Sequence, residues 1–300
     1  MAVPLVHIII LNFNGQQWLP ACFEALFATN YENYCVWLVD NGSTDASLEF
    51  TQTQFPQVEL IENKTNLGFS AGNNVGIERA LAAGAEYIVL LNPDTKVTPN
   101  WLVEIVAVGE RELEVGILGV VQYRYEDESF NAWTRAAVAA HLTELGQNVA
   151  RPWLPLDWVE GSCFAVKREV FQHIGMLDPL YFSFYEEIDF CRRAACAGYR
   201  TALVTNSRVH HQRGGNWSQR NRQRDYLCDR GQFLYALTDP RRTLPANLMW
   251  WLITFGSKLK ESLRLLDAGK LASLLQIQAF LLTHGTMVYQ KWKREQLLMR

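Results

Sequence analysis

The stretch Leu5-Val6-His7-Ile8-Ile9-Ile10-Leu11-Asn12-Phe13-Asn14 decides the fold class, because a short apolar run rich in isoleucine ends abruptly in polar residues. The same arrangement returns in Cys35-Val36-Trp37-Leu38-Val39-Asp40-Asn41 and in the runs 58–61 and 87–91, with a helical pattern between successive runs. Short strands that alternate with helices are typical of βαβ units. The sequence therefore predicts an α/β fold, in which helices flank a mostly parallel central sheet.

Composition limits the class of protein. The 300 residues are 49% hydrophobic and 20% charged, and the formal net charge is −3. These values exclude a disordered chain and a generally basic nucleic-acid binder, so we expect no nucleic-acid partner. The charge is unevenly spread, because residues 1–150 carry a net −12 and residues 151–300 a net +9. A chain of this length is expected to form one large domain with a smaller appendage.

The cysteines and the apolar segments bear on the location of the chain. Six cysteines occur without a CxxC pair, which predicts neither a zinc ribbon nor a disulfide framework and favours a reducing cytosol. The first apolar run has no basic leader, and the apolar segments 248–255 and 271–289 are short or interrupted by polar residues. We therefore expect a cytoplasmic chain without a transmembrane helix.

Small and polar residues follow each of the first four predicted strands. They are Asn12-Phe13-Asn14-Gly15, Asp40-Asn41-Gly42-Ser43-Thr44-Asp45, Asn63-Lys64-Thr65-Asn66-Leu67-Gly68-Phe69 and Asn92-Pro93-Asp94-Thr95. Such residues also form ordinary turns, which is the alternative for each loop taken alone. Because parallel sheets bind ligands at the carboxyl ends of their strands, the four loops together predict a ligand-binding edge.

The residues of this edge indicate the kind of chemistry. Neither GxGxxG nor GxxxxGK[ST] occurs in the chain, so a phosphorylated ligand needs another partner, and a divalent cation bound by Asp94 is the simplest one. An Asn-Pro-Asp turn can also be purely structural. His211 is a further candidate ligand of the cation, although a single histidine is more often a packing residue than a metal ligand.

A cluster of acids lies at Tyr185-Glu186-Glu187-Ile188-Asp189. Like charges and partial burial raise the pKa of a carboxylate, which makes it a better general base at neutral pH. The alternative is a helix N-terminus, where acids interact favourably with the dipole. The segment 191–230, which follows this cluster, contains nine arginines against two acids. It indicates either a solvated basic face or a surface for phosphate-rich partners.

Taken in order, these segments resemble the family 2 glycosyltransferases with a GT-A fold, in particular the rhamnosyltransferase-like branch that builds cell-surface polysaccharides. The resemblance extends over about residues 4–235. The matching residues are Asn12-Phe13-Asn14, Val39-Asp40-Asn41-Gly42-Ser43-Thr44-Asp45, Asn66-Leu67-Gly68-Phe69, Asn73-Asn74, Leu91-Asn92-Pro93-Asp94, Gly161, Tyr185-Glu186-Glu187-Ile188-Asp189-Phe190-Cys191, Ala197-Gly198-Tyr199 and His211.

The resemblance implies a site for a nucleoside-diphosphate sugar, with Mg²⁺ or Mn²⁺ held by Asp94 and His211 as its cofactor. The general base would be Glu187 or Asp189, because Glu187 stands where the family has an aspartate. The implied substrate-binding residues are Asn12, Phe13, Asn14, Asp40, Asn41, Asn66, Gly68, Phe69, Asn73, Asn92, Asp94, Trp158, Gly161 and Glu186.

The implied activity is an inverting, metal-dependent transfer of a sugar to a hydroxyl group. Rhamnose is the sugar that the resemblance favours, and the acceptor would be a growing cell-surface glycan or a lipid-linked molecule. One alternative is a sugar nucleotidyltransferase, which would need a basic glycine-rich loop after the first strand. The other is a scaffold that binds nucleotide sugars without catalysis.

The resemblance divides the chain into a GT-A catalytic domain, residues 1–235, and a C-terminal helical extension, residues 236–300. The extension contains three tryptophans and the basic end Lys291-Trp292-Lys293-Arg294. It is predicted either to lie on the inner face of the cytoplasmic membrane or to pack on the catalytic domain or on a second copy in a homo-oligomer. Residues 126–151 lose the periodicity and are predicted to form a long loop, either an acceptor-binding lid or a mobile surface loop.

Overall fold

A computed structural model describes residues 3–125, 127, 129–139, 151–212 and 221–299 of the chain. The strands are β1 (Val6–Asn12), β2 (Tyr34–Asp40), β3 (Glu59–Glu62), β4 (Tyr87–Leu91), β5 (Thr95–Val97), β6 (Val115–Arg124), β7 (Trp153–Leu156), β8 (Cys163–Lys167) and β9 (Arg200–His211). The helices are α1 (Leu19–Phe27), α2 (Ser47–Gln54), α3 (Gly68–Ala82), α4 (Trp101–Arg111), α5 (Ala132–Ala137), α6 (Arg168–Ile174), α7 (Glu186–Cys196), α8 (Arg222–Leu237), α9 (Leu244–Arg264), α10 (Ala268–Thr283) and α11 (Gly285–Gln296).

Within the described residues, nine strands form one sheet. Its order is β3-β2-β1-β4-β8-β6-β9-β5, and β7 pairs with the first half of β9. Strands β1 to β4 are mutually parallel, so the loops that follow them meet at one edge, and Asn12 lies beside Asp40 in the register. Strand β8 runs antiparallel between β4 and β6. The predicted α/β fold is thus confirmed, with antiparallel strands added to the parallel half.

Both faces of the sheet are covered by helices, which explains why the strands read as nearly continuous apolar runs. In β1, Ile8 and Ile10 pack on one face with Phe23 of α1 and Trp101 of α4. Ile9 points to the other face and packs in the cluster that contains helices α3, α6 and α7. The loops that follow β1 and β4 are therefore held on a buried support.

The structure differs from several sequence-based boundaries. The apolar run 159–166 predicts a strand, whereas β8 begins at Cys163. The sequence does not predict β5, because three residues are too few for a periodic pattern. The predicted long loop contains α5, whose first turn is capped by Asn131 Oδ1, an acceptor for the amide of Thr134 at 2.7 Å. The remainder of that loop, 140–150, lies outside the described residues.

The C-terminal segment forms four packed helices, α8 to α11. The apolar patterns predict two helices, over 244–266 and 268–298, whereas the described residues after 243 form three α-helices because the chain bends at His284 and Gly285. A separate apolar cluster joins them to the rest of the chain through Tyr181. No helix in the described ranges is by itself long and apolar enough to cross a membrane, and Ala268–Thr283 and Gly285–Met299 meet that standard only as a pair bent by 69°.

Candidate active site

Side chains join the loops that follow β1 and β2. Asn12 Nδ2 donates to Asp40 Oδ1 at 3.0 Å and to Ser43 Oγ at 3.1 Å. The other carboxylate oxygen of Asp40 accepts from the amide of Ser43 at 2.8 Å. Asn12 and Asp40 are almost completely buried, whereas Phe13 and Asn14 are partly exposed. The buried pair thus shapes the edge of the sheet, and a ligand at this edge can reach the side chains of Phe13 and Asn14.

Asn41 connects the second loop to the third. Its Nδ2 atom donates to Asn66 Oδ1 at 3.0 Å and to the carbonyl of Gly68 at 3.2 Å, and its Oδ1 atom accepts from the amide of Leu67 at 3.1 Å. Gly68 has a φ of +81°, and a Cβ atom there would lie 2.5 Å from the carbonyl oxygen of Phe182. Only glycine therefore fits at this close approach of two loops.

Phe69 and Asn73, both predicted to bind substrate, lie on the first turns of α3. Phe69 is partly exposed, and its amide donates to the carbonyl of Phe182 at 2.6 Å. Asn73 is buried, and its Nδ2 atom donates to the carbonyl of Phe69 at 2.9 Å. Asn73 thus holds the helix start, while the ring of Phe69 is the part of this pair that a ligand can contact.

Asp94 and His211 come together although more than a hundred residues separate them. Strands β5 and β9 pair antiparallel with Thr95 opposite His211, which brings the imidazole beside the turn that contains Asn92 and Asp94. His211 Nε2 lies 3.3 Å from Asp94 Oδ1, and both residues are buried, with exposed fractions of 9% and 6%. Asn92 beside them is partly exposed.

This pair fits a divalent cation that also binds an anionic ligand. His211 Nδ1 is buried and has no hydrogen-bond partner among the described residues, so no protein group there bonds this nitrogen of the ring. Those residues contain no group of three or more His, Cys, Asp or Glu that would enclose a metal. A six-coordinate ion would thus take its other ligands from water and from a diphosphate, which Mg²⁺ and Mn²⁺ commonly do.

The acidic cluster lies at the start of α7, directly after two residues in an unusual backbone conformation. Phe184 and Tyr185 have φ values of +70° and +74°, in the left-handed region that non-glycine residues rarely adopt. Such strained residues concentrate at functional sites, where the surrounding packing enforces them. Here Gly231 of α8 packs against the turn, since a Cβ atom at this glycine would lie 2.9 Å from the carbonyl oxygen of Phe184.

Glu187 has the properties of a general base. It is partly exposed, but its Oε2 atom is buried and has no hydrogen-bond partner within the described ranges. Burial raises the pKa of Glu187 to about 7, and the charge of Glu160 adds to the rise. Burial also raises the pKa of Glu186 well above its ordinary value, and the neighbouring Glu187 contributes to that shift. The neutral form of Glu186 is therefore favoured beside Glu187.

Asp189, the other predicted base, lies in a different environment. It is fully buried, and it accepts hydrogen bonds from Arg192 at 2.8 Å, from Arg193 at 3.0 Å and from Lys291 at 3.0 Å. Burial alone would raise the pKa of Asp189, but the charges of Lys291, Arg193 and Arg192 outweigh it and hold the pKa well below the usual range. Such a permanently ionised, enclosed carboxylate is unsuited to accept a substrate proton.

The turn between β7 and β8 contacts both Glu187 and the turn that contains Asn92 and Asp94. The amide of Asn92 donates to the carbonyl of Ser162 at 2.8 Å. The neighbouring Gly161 lies beside the acid, because a Cβ atom on this glycine would be in ordinary van der Waals contact with Glu187 Cδ, at 3.6 Å. Glu187 and the turn that contains Asp94 thus reach the same short turn from separate elements.

Sequence reasoning missed two residues near this turn. Trp158, predicted to bind substrate, is partly exposed, and its ring centroid lies 5.7 Å from that of Trp133, which was not predicted. Glu160 was also missed, and its Oε2 atom accepts from Asn131 Nδ2 at 3.0 Å. The position of Glu160 directly before the predicted site glycine Gly161 was the only available signal for it.

The structure describes most of the arginine-rich segment 191–230. Arg192 and Arg193 are buried, and their guanidinium groups bind backbone carbonyls as well as acids, including Tyr235 O at 2.7 Å and Met176 O at 2.8 Å. These two arginines are therefore neither a solvated face nor a surface for phosphates. Residues 213–220 of the segment lie outside the described residues.

The chain is similar to known glycosyltransferases. An N-acetylglucosaminyl-diphospho-decaprenol L-rhamnosyltransferase of Mycobacterium tuberculosis is 26% identical over 204 residues, which cover 59% of this chain and 66% of that protein. The rhamnosyltransferase WbbL of Escherichia coli is 23% identical over 216 residues, which cover 67% of this chain and 80% of WbbL. This chain thus spans about two thirds of the length of the first relative.

A solved structure shares the fold. The mannosyltransferase PcManGT from Pyrobaculum calidifontis, in complex with GDP-Man and Mn²⁺, has a TM-score of 0.61 and 16% identity, with 100% of this chain and 88% of that chain covered. This likeness confirms the predicted GT-A fold. The family model for glycosyl transferase family 2 matches residues 7–175, more than half of the chain. From the motifs, the fold and this match, the chain belongs to glycosyl transferase family 2.

Proposed function

We propose that the chain is an inverting, metal-dependent glycosyltransferase that moves a sugar from a nucleoside-diphosphate donor to a hydroxyl group of a glycan or lipid-linked acceptor. The observation that carries the proposal is that the Gly161–Ser162 turn contacts both Glu187 and the turn that contains Asp94. Asp94 can hold a cation, and Glu187 is a carboxylate with a pKa of about 7. Both groups assist the transfer of a sugar from a diphosphate to a hydroxyl group.

In the proposed mechanism, each group of the chain has one task. Asn14, Asn66 and Phe69 contact the base and ribose at the exposed edge, on the support made by Asn12, Asp40 and Asn41. Glu187 Oε2 takes the proton of the acceptor hydroxyl as that oxygen attacks the anomeric carbon. When bound to Asp94 and His211, the cation neutralises charge on the departing diphosphate. One carboxylate is enough for a single displacement, which inverts the anomeric configuration.

We propose dTDP-rhamnose as the donor, because two relatives are named rhamnosyltransferases. A thermal-shift panel of dTDP-rhamnose, UDP-glucose and GDP-mannose, each with Mn²⁺ and with EDTA, tests this proposal. At 100 times its dissociation constant, a ligand adds about 2.7 kcal/mol to the stability of the native state. We expect Tm to rise with dTDP-rhamnose and Mn²⁺ together, and to rise little with EDTA.

Two variants serve as controls for the panel. Asp94→Asn is expected to lose the part of the shift that depends on Mn²⁺, whereas Asp157→Asn, an exposed acid outside the pair, is expected to keep it. The absence of any shift with all three donors contradicts a nucleotide-sugar site. Donor binding without transfer or donor hydrolysis would instead support the scaffold alternative.

We also propose that the C-terminal helices contact an anionic membrane surface. Leu248, Met249, Leu252 and Ile253 are about half exposed along the first turns of α9. The guanidinium group of Arg242 lies 4.8 Å from the ring centroid of Trp250. An apolar helix face beside cationic and indole groups is typical of helices that lie in the membrane interface. The enzyme would then act at the inner face of the cytoplasmic membrane.

Flotation with phosphatidylglycerol vesicles tests the membrane proposal. The variant Leu252→Glu/Ile253→Glu is expected to bind about 10- to 100-fold more weakly, because it removes two apolar side chains from the contact. Leu113→Glu, at a still more exposed apolar position after α4, is expected to bind as the unmodified chain does. Vesicle binding that is unchanged in the α9 variant contradicts the proposal, and a dimer dispersed by that variant would identify a second copy as the occupant.

A further inference from the structure

A buried cluster of charges lies beneath the first turns of α7, and α11 supplies part of it. Lys291 and Glu295 of α11 have exposed fractions of 2% and 0%, which is exceptional for these residue types. Lys291 Nζ lies 3.0 Å from Asp189 Oδ2 and 3.1 Å from Asp178 Oδ2. It also contacts Glu295 directly. The last helix therefore inserts a cation and an acid into the interior of the catalytic half.

The cluster is closed by two arginines of α7 itself. Arg192 and Arg193 bind Asp189 and lie 3.5 and 3.7 Å from the carboxylate of Glu295. Each buried charge has a partner of opposite sign, and every side chain of the cluster is almost completely buried. Because unpaired charges in this interior are strongly unfavourable, the relative positions of α7 and α11 are set by the cluster.

Asp189 lies one turn after the start of α7, and its amide donates to the carbonyl of Tyr185 at 2.9 Å. Glu187 therefore lies between two constraints, the left-handed residues Phe184 and Tyr185 on one side and the carboxylate of Asp189 on the other. A shift of Asp189 toward or away from Lys291 moves the backbone that carries Glu187. Errors of about 1 Å in the position of a reacting group can cost about 100-fold in rate.

We propose that Lys291 and Glu295 are positioning residues for Glu187, so that the C-terminal helix α11 is part of the active-site support. The inference rests on the proposed function, in which Glu187 is the base. It also means that the boundary predicted at residue 235 divides one buried cluster, because Lys291 binds Asp189 across a separation of 102 residues.

The test compares Lys291→Met with Lys293→Met in the full chain. Methionine keeps most of the length of lysine without its charge, and Lys293 is an exposed residue of the same helix. We expect Lys291→Met to lower kcat by about 10- to 100-fold with KM for the donor within about twofold, because the donor loops are untouched. Lys291→Arg is expected to recover part of kcat, and Lys293→Met to behave as the unmodified chain.

A second readout does not depend on activity. Hydrogen exchange in the peptide 184–190 is expected to be faster in Lys291→Met than in Lys293→Met, while exchange in the loops after β1 and β2 stays the same. If the unmodified chain transfers no sugar, the proposed function fails, and this exchange measurement still tests the support of α7. A folded Lys291→Met protein with unchanged kcat and unchanged exchange overturns the inference. Should that variant fail to fold, Glu295→Gln takes its place with the same expected results, and an unchanged kcat in it overturns the inference equally.

Discussion

Replacing Glu187 with glutamine is expected to lower kcat for sugar transfer by about 10²- to 10⁴-fold, the usual contribution of a general base. Glutamine has the same shape but cannot take a proton from the acceptor hydroxyl. Metal-dependent binding of the donor should stay within about twofold, since Glu187 lies on α7 and the proposed cation ligand Asp94 lies in the turn before β5. Steady-state kinetics with a saturating donor, together with thermal shifts for donor binding, measure the two effects separately.

The pH profile gives an independent check of the same assignment. The protonated form of Glu187 cannot act as a base, so kcat should rise as the pH increases through about 7, the value to which burial raises the pKa of Glu187. The raised pKa of Glu187 has the opposite effect on stability. Between pH 4.5 and about 7 the folded state binds more protons than the unfolded state, so the free energy of unfolding decreases as the pH rises through that range. Turnover of Glu187→Gln within tenfold of the unmodified enzyme would contradict the role of Glu187.

Asp189→Asn is expected to reduce the free energy of unfolding by about 3–5 kcal/mol, the usual cost of removing one member of a buried ion pair. The substitution leaves Lys291, Arg192 and Arg193 enclosed with one negative partner fewer. Urea unfolding followed by circular dichroism measures the change. The matched control is Glu261→Gln, which removes an acid from the more exposed pair with Lys270 and should cost about 0–1 kcal/mol.

The depressed pKa of Asp189 determines how this contribution depends on pH. The stabilisation is present above the unfolded pKa of 3.8 and is lost as the pH falls through the lower folded pKa. The difference between the unmodified chain and Asp189→Asn should therefore be largest at neutral pH and shrink in strong acid. A loss below about 1 kcal/mol at pH 7 would mean that Asp189 is not a structural member of a buried cluster.

The parts of the fold that the sequence predicted correctly depend on local patterns. Strands β1, β2 and β4 were predicted almost to the residue, because each is a continuous apolar run bounded by Asn, Asp or Pro. The edge where Asn12 and Asp40 meet followed from the parallel arrangement alone. Strands β5 and β7 were missed, because β5 has only three residues and β7 is interrupted by Pro155. Both strands pair with β9, a contact that the local sequence does not display.

The candidate site was predicted less completely than the fold. Sequence spacing left Glu187 and Asp189 as equal candidates for the base, since both lie in the first turn of one helix. The structure separates them, because residues distant in sequence surround the two acids differently. Glu187 is next to Gly161 and Glu160, whereas Asp189 is enclosed by Arg192, Arg193 and Lys291.

Local patterns in the amino-acid sequence are enough to predict the α/β class, the edge of the sheet that carries the polar loops and the acids among which we propose the base. These properties depend on a few neighbouring residues, which a single chain displays directly. The folded chain adds that His211 lies beside Asp94, that Asp189 is enclosed and that Lys291 of α11 pairs with Asp189 of α7. The sequence does not display these contacts, because burial and charge pairing depend on residues that lie more than a hundred positions apart in the chain.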